Sequence, residues 1–145
     1  MNKQKGFTII ELIVVIAIIA VLAAIVLVNV TQYINKGKDA AIKGNLATLV
    51  TNGAVWVDDT THTGYLNFSA NAVTGCGSGG PIATAVTNAG GTLVCAETAV
   101  TGAAWCGCSQ LKTDVTKGFC VDSTGAKKEG TMTCSTVCTA ASPDC

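Results

Sequence analysis

The chain has 145 residues, about the size of one domain, which excludes a large multi-domain enzyme. Apolar residue types make up 49% of it and the mean hydropathy is +0.48, which excludes a disordered chain. Nine lysines balance nine acidic residues, so the formal charge of +0 disfavours a general nucleic-acid binder, which depends on an excess of basic charge. The apolar excess lies at the N-terminal end, whereas all eight cysteines lie at or after Cys76.

The first element is an apolar segment from Phe7 to Val30, in which Glu11 is the only charged residue. About 24 residues at 1.5 Å each form a helix of about 36 Å, enough to cross a hydrocarbon core of about 30 Å. Lys3 and Lys5 precede this segment, so the positive-inside rule predicts a cytoplasmic N-terminus and an external C-terminal part. A cleaved secretory signal peptide is disfavoured, because no A-x-A site occurs in the segment and the helical pattern continues beyond it.

Glu11 is the informative residue of this segment, because a carboxylate inside a membrane costs several kcal/mol and normally has a partner. No Lys, Arg or His lies between Phe7 and Ile34, which leaves protonation or a partner in another molecule. Four residues of helical rise separate Glu11 from Phe7 by about 6 Å. If the chain were cut before Phe7, the new α-amino group of a neighbouring copy would be a cation at a suitable depth. The pattern therefore predicts lateral self-association of these helices.

A short basic leader ending in Gly6, followed by Phe-Thr-Ile-Ile-Glu-Leu and an apolar helix, resembles the class III signal of type IV pilins and pseudopilins. The resemblance covers about the first 30 residues closely. It implies cleavage between Gly6 and Phe7 by a prepilin peptidase on the cytoplasmic face of the membrane. It also implies N-methylation of Phe7 and a role for Glu11 in subunit docking.

Beyond residue 30 the apolar residues recur every three to four positions, which predicts an amphipathic helix with one buried stripe. The stripe comprises Val30, Tyr33, Ile34, Ala41, Ile42, Leu46, Leu49, Val50, Ala54 and Val57. The opposite, solvated face is expected to carry Lys36, Lys38, Asp39 and Lys43. Since residues 7–57 contain no proline, the helix is predicted to run on from the membrane segment for about 51 residues, roughly 77 Å.

Two features of this helix concern its end and its packing. Acidic residues oppose the helix dipole at a C-terminus, so Asp58 and Asp59 are expected to mark its end. Gly37, Gly44 and Gly53 weaken a helix by about 1 kcal/mol each relative to Ala. They permit either close packing or flexing, and the sequence does not distinguish between the two.

The segment 58–145 has too few large apolar residues to stabilise a small domain unaided, and its eight cysteines can stabilise it through disulfides. An even number in a segment expected outside the cell predicts up to four disulfides. Zinc is the weaker alternative, because there is no C-x-x-C pair and only one histidine. The candidates are Cys76, Cys95, Cys106, Cys108, Cys120, Cys134, Cys138 and Cys145.

Cys106 and Cys108 alternate along a predicted strand, so they face the same side and are expected to take different partners. Of the possible pairings, we favour a cross-strand link from one of them to Cys120. Other elements follow from local patterns: a short helix over 82–88, and strands over 91–96 and 103–111. A β-hairpin is predicted over 118–129, with its turn at 122–125, followed by an irregular, disulfide-tied tail over 131–145.

No set of residues predicts catalysis. His62 lies in a Thr-rich loop and is expected to be a solvated surface residue, with nothing to position it as a base. Asp58 and Asp59 suggest a calcium site only weakly, because calcium needs several converging oxygens. We therefore expect neither an enzyme nor a metal or other cofactor.

Together these observations predict an α+β, pilin-like fold, in which a long N-terminal helix packs on a small antiparallel sheet in a disulfide-rich head. The expected division is a leader (1–6), a transmembrane assembly helix (7–30), its amphipathic continuation (31–57) and the head (58–145). The chain would lie in the inner membrane before assembly, with prepilin peptidase, the pilus assembly machinery, the lipid bilayer and other copies of itself as partners.

The predicted function is that of a structural subunit of a type IV pilus-like filament serving adhesion, motility or DNA uptake, extracellular after assembly. One alternative is a pseudopilin of a type II secretion-like system, in a periplasmic pseudopilus. The other is a minor or competence pilin that binds DNA or surfaces. Nucleic acid is not expected as a partner, since the only lysines in the head are Lys112, Lys117, Lys127 and Lys128, against five acidic residues after Asp59.

Overall fold

The computed structural model describes residues 6–99 and 101–145, so the predicted leader residues 1–5 lie outside the described residues. The chain divides into two compact units, one ending at Ile34 and the other formed by Asn35–Cys145. The elements in chain order are α1 (Ile9–Asp58), α2 (Pro81–Asn88), β1 (Leu93–Glu97), β2 (Trp105–Gln110), β3 (Lys117–Asp122), β4 (Lys127–Thr131) and α3 (Cys134–Val137). The helix α1 belongs to both units and ends one residue after the predicted Val57.

The second unit contains a four-stranded antiparallel sheet in the order β1-β2-β3-β4, in which every strand pairs with its neighbour in sequence. The predicted hairpin between β3 and β4 is confirmed. Its turn forms because Asp122 Oδ1 accepts hydrogen bonds from the backbone N–H groups of Thr124 and Ala126. Gly125 supplies the positive φ of 85° that this turn requires.

The residues of α1 after Ile34 cover one face of this sheet, as predicted for the fold. The buried positions on α1 follow a regular 3-4 spacing: Asp39, Ile42, Leu46, Leu49, Gly53 and Trp56. They enclose a core with Phe68, Trp105 and Val121. Asp39 and Trp56 take buried positions that the predicted stripe did not include. The stripe was also wrong at the members that are exposed: Val30, Tyr33, Ile34, Ala41, Ala54 and Val57.

Gly53 is the glycine of α1 that serves close packing. A Cβ atom there would lie 2.7 Å from Nε1 of Trp105, whose side chain is fully buried. At Gly37 and Gly44 a Cβ would meet nothing within 4 Å. Of the two alternatives left open for these glycines, close packing therefore applies to Gly53, which leaves room for the indole of Trp105. Gly37 and Gly44 lie on an open face.

The opposite face of the sheet is covered by the cystines of the C-terminal segment, which includes the one-turn helix α3. Three disulfides join this face to the C-terminal segment: Cys106–Cys138, Cys108–Cys134 and Cys120–Cys145. Their sulfurs form a second buried cluster, separate from the core under α1. The sheet thus lies between a helix layer and a layer of disulfides, which compensates for the scarcity of large apolar residues.

Cys106 and Cys108 do take different partners, but the favoured link to Cys120 was wrong. Cys108 is directly opposite Cys120 in the β2–β3 register. Side chains stand perpendicular to a sheet, so both sulfurs point towards the segment that covers it. Each therefore bonds to that segment. The backbone N–H of Cys145 adds a hydrogen bond of 3.1 Å to Asp122 Oδ2.

The fourth disulfide, Cys76–Cys95, fastens the loop before α2 to β1. The predicted short helix is present, starting at Pro81. The backbone N–H groups of Gly90 and Gly91 donate to its last carbonyls, which explains why β1 begins at Leu93 and not at residue 91. The tail expected to be irregular contains the one-turn helix α3.

Candidate functional site

Among the described residues, α1 is the one helix that is long and apolar enough to cross a membrane, judged by length and composition only. Between Ile9 and Val30 its large apolar side chains, residue 28 aside, are 45–80% exposed. Val14, Ala17, Ile18, Val21 and Leu22 line a shallow apolar groove on it. An apolar surface of this extent indicates burial in lipid or against other proteins.

Glu11 has a partner within its own chain, which the sequence interpretation did not consider. Its Oε2 accepts hydrogen bonds from the backbone N–H of Thr8 (2.8 Å) and from Thr8 Oγ1 (2.7 Å). The backbone N–H of Glu11 donates in return to Thr8 Oγ1 (3.3 Å). This is a capping box, in which Thr8 is the N-cap of α1, and its sequence signature is Thr8-Ile-Ile-Glu11.

The capping box occupies only one oxygen of the Glu11 carboxylate. Both bonds from Thr8 reach Oε2, and Oε1 has no hydrogen-bond partner among residues 6–99 and 101–145. A carboxylate oxygen is a strong acceptor for an ammonium group. The arrangement therefore fixes the rotamer of Glu11 while one acceptor stays open.

Gly6 and Phe7 precede the first turn of α1, and both are exposed. Nothing lies within 4 Å of the Cβ position of Gly6, and the side chain of Phe7 is 78% exposed. The peptide bond between them is thus outside the helix and sterically accessible. Gly6, Phe7 and Glu11 lie within one short segment at the start of the helix.

Asp39 ties α1 to the loop between β2 and β3. Its carboxylate accepts hydrogen bonds from the backbone N–H of Lys112 and from the backbone N–H and the hydroxyl of Thr113. Burial raises the pKa of Asp39, but these hydrogen bonds outweigh it and hold the pKa below the ordinary aspartate value. Asp39 was expected on the solvated face. It lies three residues before Ile42, and this helical spacing could have predicted its burial.

His62 is a second correction, because it is half-buried and not a solvated surface residue. Its ring stacks on that of Trp56 with centroids 3.6 Å apart. Its Nδ1 lies 3.8 Å from Asp59 Oδ2. The sequence interpretation missed Trp56, although it lies seven residues after Leu49 on the same helix face.

The four lysines of the head do not share one surface. Lys127 and Lys128 are consecutive in β4, so their side chains point to opposite faces of the sheet. Lys128 Nζ donates to the backbone oxygen of Cys145, and the stem of Lys112 lies over Gly90. Of Lys127 and Lys128, therefore, one lies on each face of the sheet.

In the part of the chain that the structure describes, no three or more His, Cys, Asp or Glu side chains come together to hold a metal ion. The eight cysteines are all engaged in disulfides. Asp59 Oδ1, one of the weak calcium candidates, accepts hydrogen bonds from the backbone N–H and the hydroxyl of Thr61, which lower the pKa of Asp59.

Comparison with known families identifies residues 1–27 as the prokaryotic N-terminal methylation motif. No curated protein and no solved structure matches the chain at a significant level. The motif is the class III prepilin signal, and it implies processing by a prepilin peptidase and pilus-like assembly. With the apolar helix, the motif suggests anchoring in the membrane before assembly. Residues 1–27 of the chain therefore carry a processable N-terminal methylation motif, which is consistent with the type IV pilin and pseudopilin family.

Proposed function

We propose that this chain is a structural subunit of a type IV pilus-like filament that polymerises through the N-terminal part of α1. Prepilin peptidase cleaves the precursor between Gly6 and Phe7, and Phe7 is N-methylated. The subunit waits in the inner membrane, and the assembly machinery then extracts it into the filament. Loss of Lys3 and Lys5 with the leader leaves seven lysines and nine acidic residues in the mature subunit, so the formal side-chain charge falls from +0 to about −2.

The observation that carries this proposal is the contrast between the ends of the chain. The apolar side chains from Ile9 to Val30 are largely exposed, whereas the second unit (Asn35–Cys145) completes its own core and pairs all its cysteines in disulfides. At about 25 cal/mol per Å² of apolar surface, covering such a helix supplies a large driving force for association once it leaves lipid. In the filament the helices form the core, and the disulfide-locked heads form the surface.

Glu11 sets the axial position of each new subunit in this proposal. The capping box with Thr8 holds the carboxylate at the start of the helix, and Oε1 faces no partner in its own chain among the described residues. The N-terminal amine of Phe7 in a neighbouring subunit would supply a charged donor. In an apolar filament core this pair is strongly favoured over an unpaired carboxylate.

Three variants separate docking from capping. Glu11→Gln keeps an oxygen that can accept from Thr8 but removes the charge, and it is expected to reduce filament yield severely. Thr8→Val removes the capping hydroxyl but keeps the carboxylate, and it is expected to assemble at a yield close to that of the unmodified chain. Glu11→Ala removes both functions and is expected to insert in the membrane but fail to assemble. The readout is the mass of sheared filaments, with total membrane-bound subunit as the control.

The opposite ranking would contradict the docking role. If Glu11→Gln assembles normally while Thr8→Val does not, Glu11 acts only as a helix cap. Filaments that stay in the periplasm, and are absent from the cell surface, would instead assign the chain to a secretion pseudopilus.

A further inference from the structure

A pocket lies at the C-terminal end of α1, where the helix meets the loop that follows it. Its volume is about 330 Å³, and its lining includes Trp56, Asp59, His62 and Asn71. Small-molecule sites occupy about 300–1,000 Å³, so this pocket is large enough for one ring but not for a longer chain. It belongs entirely to the second unit and takes no part in the assembly proposed above.

An aromatic stack forms the wall of this pocket. The rings of Trp56 and His62 are inclined by 23° with centroids 3.6 Å apart. The indole is nine-tenths buried, and neither its Nε1 nor His62 Nδ1 has a hydrogen-bond partner among the described residues. The same holds for Nε1 of Trp105, which does not line the pocket, and all three atoms have almost no accessible surface. Polar contacts to a ligand are therefore expected from the other side chains of the lining.

Planar polar side chains stand beside the stack. Asn71 Oδ1 is occupied, because it accepts hydrogen bonds from the backbone N–H groups of Val73 and Thr74. Its Nδ2 donates to no described residue, so an amide donor remains in the pocket. Asp59 Oδ1 accepts the hydrogen bonds from Thr61. Asp59 Oδ2 lies 3.8 Å from His62 Nδ1 and can accept a hydrogen bond from a ligand.

Apolar surface completes the lining. Val55 and Val73 line the pocket, and their side chains are 64% and 74% exposed. A ligand would therefore meet an aromatic ring and two isopropyl groups together with one amide donor and one carboxylate acceptor. A pyranose ring has this combination, because its C–H face is apolar and its vicinal hydroxyls both donate and accept.

A cationic ligand fits the same lining less well. The carboxylate of Asp59 would attract it, but the N–H groups of Asn71 Nδ2 would present their positive ends to it. A hydroxyl can satisfy a donor and an acceptor in turn, whereas an ammonium group can only donate. The mixture of donors and acceptors thus favours a neutral polyol over a cation.

We propose that the pocket formed by Trp56, Asp59, His62 and Asn71 binds a neutral monosaccharide unit of a glycan. The sugar ring packs against His62 and the two valines, and its hydroxyls bind Asp59 Oδ2 and Asn71 Nδ2. The site lies on the head and does not depend on how the subunits assemble.

The test uses the full chain in micelles of an oligoethylene glycol detergent, whose head group contains no sugar. Glucose, galactose, mannose and N-acetylglucosamine are titrated separately while the two indole N–H resonances are followed by NMR. At least one sugar is expected to shift the Trp56 resonance saturably, with half-saturation in the millimolar range. Trp105 is fully buried beneath Gly53 and does not line the pocket, so its resonance should shift much less than that of Trp56.

Two variants form a matched pair for this titration. Asp59 and Asp114 make the same local turn, in which the carboxylate accepts the backbone N–H and the hydroxyl of the threonine two residues later. Only Asp59 lines the pocket. Asp59→Asn should weaken sugar binding about 10-fold or more, because it replaces a charged acceptor, whereas Asp114→Asn should leave it unchanged.

The alternative outcomes are distinct. Absence of a saturable Trp56 shift with all four sugars would overturn the proposal, as would equal shifts of both indoles or equal binding by the two variants. A saturable shift with tetramethylammonium chloride and none with the sugars would also overturn it, since the pocket would then recognise positive charge.

Discussion

Substitution of Gly53 by alanine tests the packing of α1 on the sheet. A Cβ at residue 53 would lie 2.7 Å from Nε1 of Trp105 and 2.9 Å from two ring carbons. The indole cannot yield easily, because Phe68 and Tyr65 pack against it with ring centroids at 4.9 and 6.3 Å. Overpacking of this kind costs about 1–3 kcal/mol. Alanine returns about 1 kcal/mol of helix propensity, so the net destabilisation of Gly53→Ala is expected to be about 0–2 kcal/mol.

Gly44→Ala is the matched control, because it makes the same change in the same helix with nothing within 4 Å of the new methyl group. It should stabilise the chain by about 1 kcal/mol through helix propensity alone. The free energies of unfolding of the two variants should therefore differ by about 1–3 kcal/mol. The assay is guanidinium unfolding of the disulfide-intact chain in micelles, followed by tryptophan fluorescence. Equal stability of the two variants would refute the close contact between Gly53 and Trp105.

Three further substitutions test the contacts that hold the head together. Asp39→Asn should cost about 1–3 kcal/mol at neutral pH in denaturant unfolding, because its buried carboxylate accepts three hydrogen bonds from the β2–β3 loop. The pKa of Asp39 is lowered in the folded state, so its carboxylate should stabilise the chain at neutral pH and lose this effect as the pH falls below about 3.9. The free energies of unfolding of the unmodified chain and the variant should therefore converge in acid. The double substitution of Cys76 and Cys95 by serine opens a loop of 19 residues and should lower the free energy of unfolding by about 2–4 kcal/mol; an unchanged unfolding midpoint would contradict this. Lys43→Ala breaks a part-exposed ion pair of 2.7 Å with Glu129, so it should cost about 0.2–1 kcal/mol and lose its effect in 1 M salt; a larger, salt-independent loss would indicate a packing role instead.

Local signals in the sequence predicted most of the elements correctly. The turn at Asp122–Gly125 and the helix opened by Pro81 depend on backbone preferences of a few neighbouring residues, which the sequence states directly. The apolar run after Phe7 likewise needs only length and composition. For such features, prediction requires no knowledge of what packs against them.

Features that depend on distant partners were predicted less well. Asp39 is charged, and its burial becomes favourable through the two backbone N–H groups and the Thr113 hydroxyl of the β2–β3 loop, more than 70 residues away. Cys120 bonds to Cys145 instead of its strand neighbour because the C-terminal segment covers that face of the sheet. His62 similarly owes its position to the ring of Trp56. Spacing could have placed Asp39 and Trp56 on the buried helix face, but the partners that each of these residues contacts are set by the tertiary fold.

The central claim is that this chain is cut before Phe7 and polymerises through the helix that follows. Mass spectrometry of the main subunit in sheared surface filaments tests it most directly. We expect a mature chain that begins at N-methylated Phe7 and is eight hydrogens lighter than its reduced form, in agreement with its four disulfides. A chain that keeps Met1, stays in the membrane and is absent from every filament preparation would contradict the account.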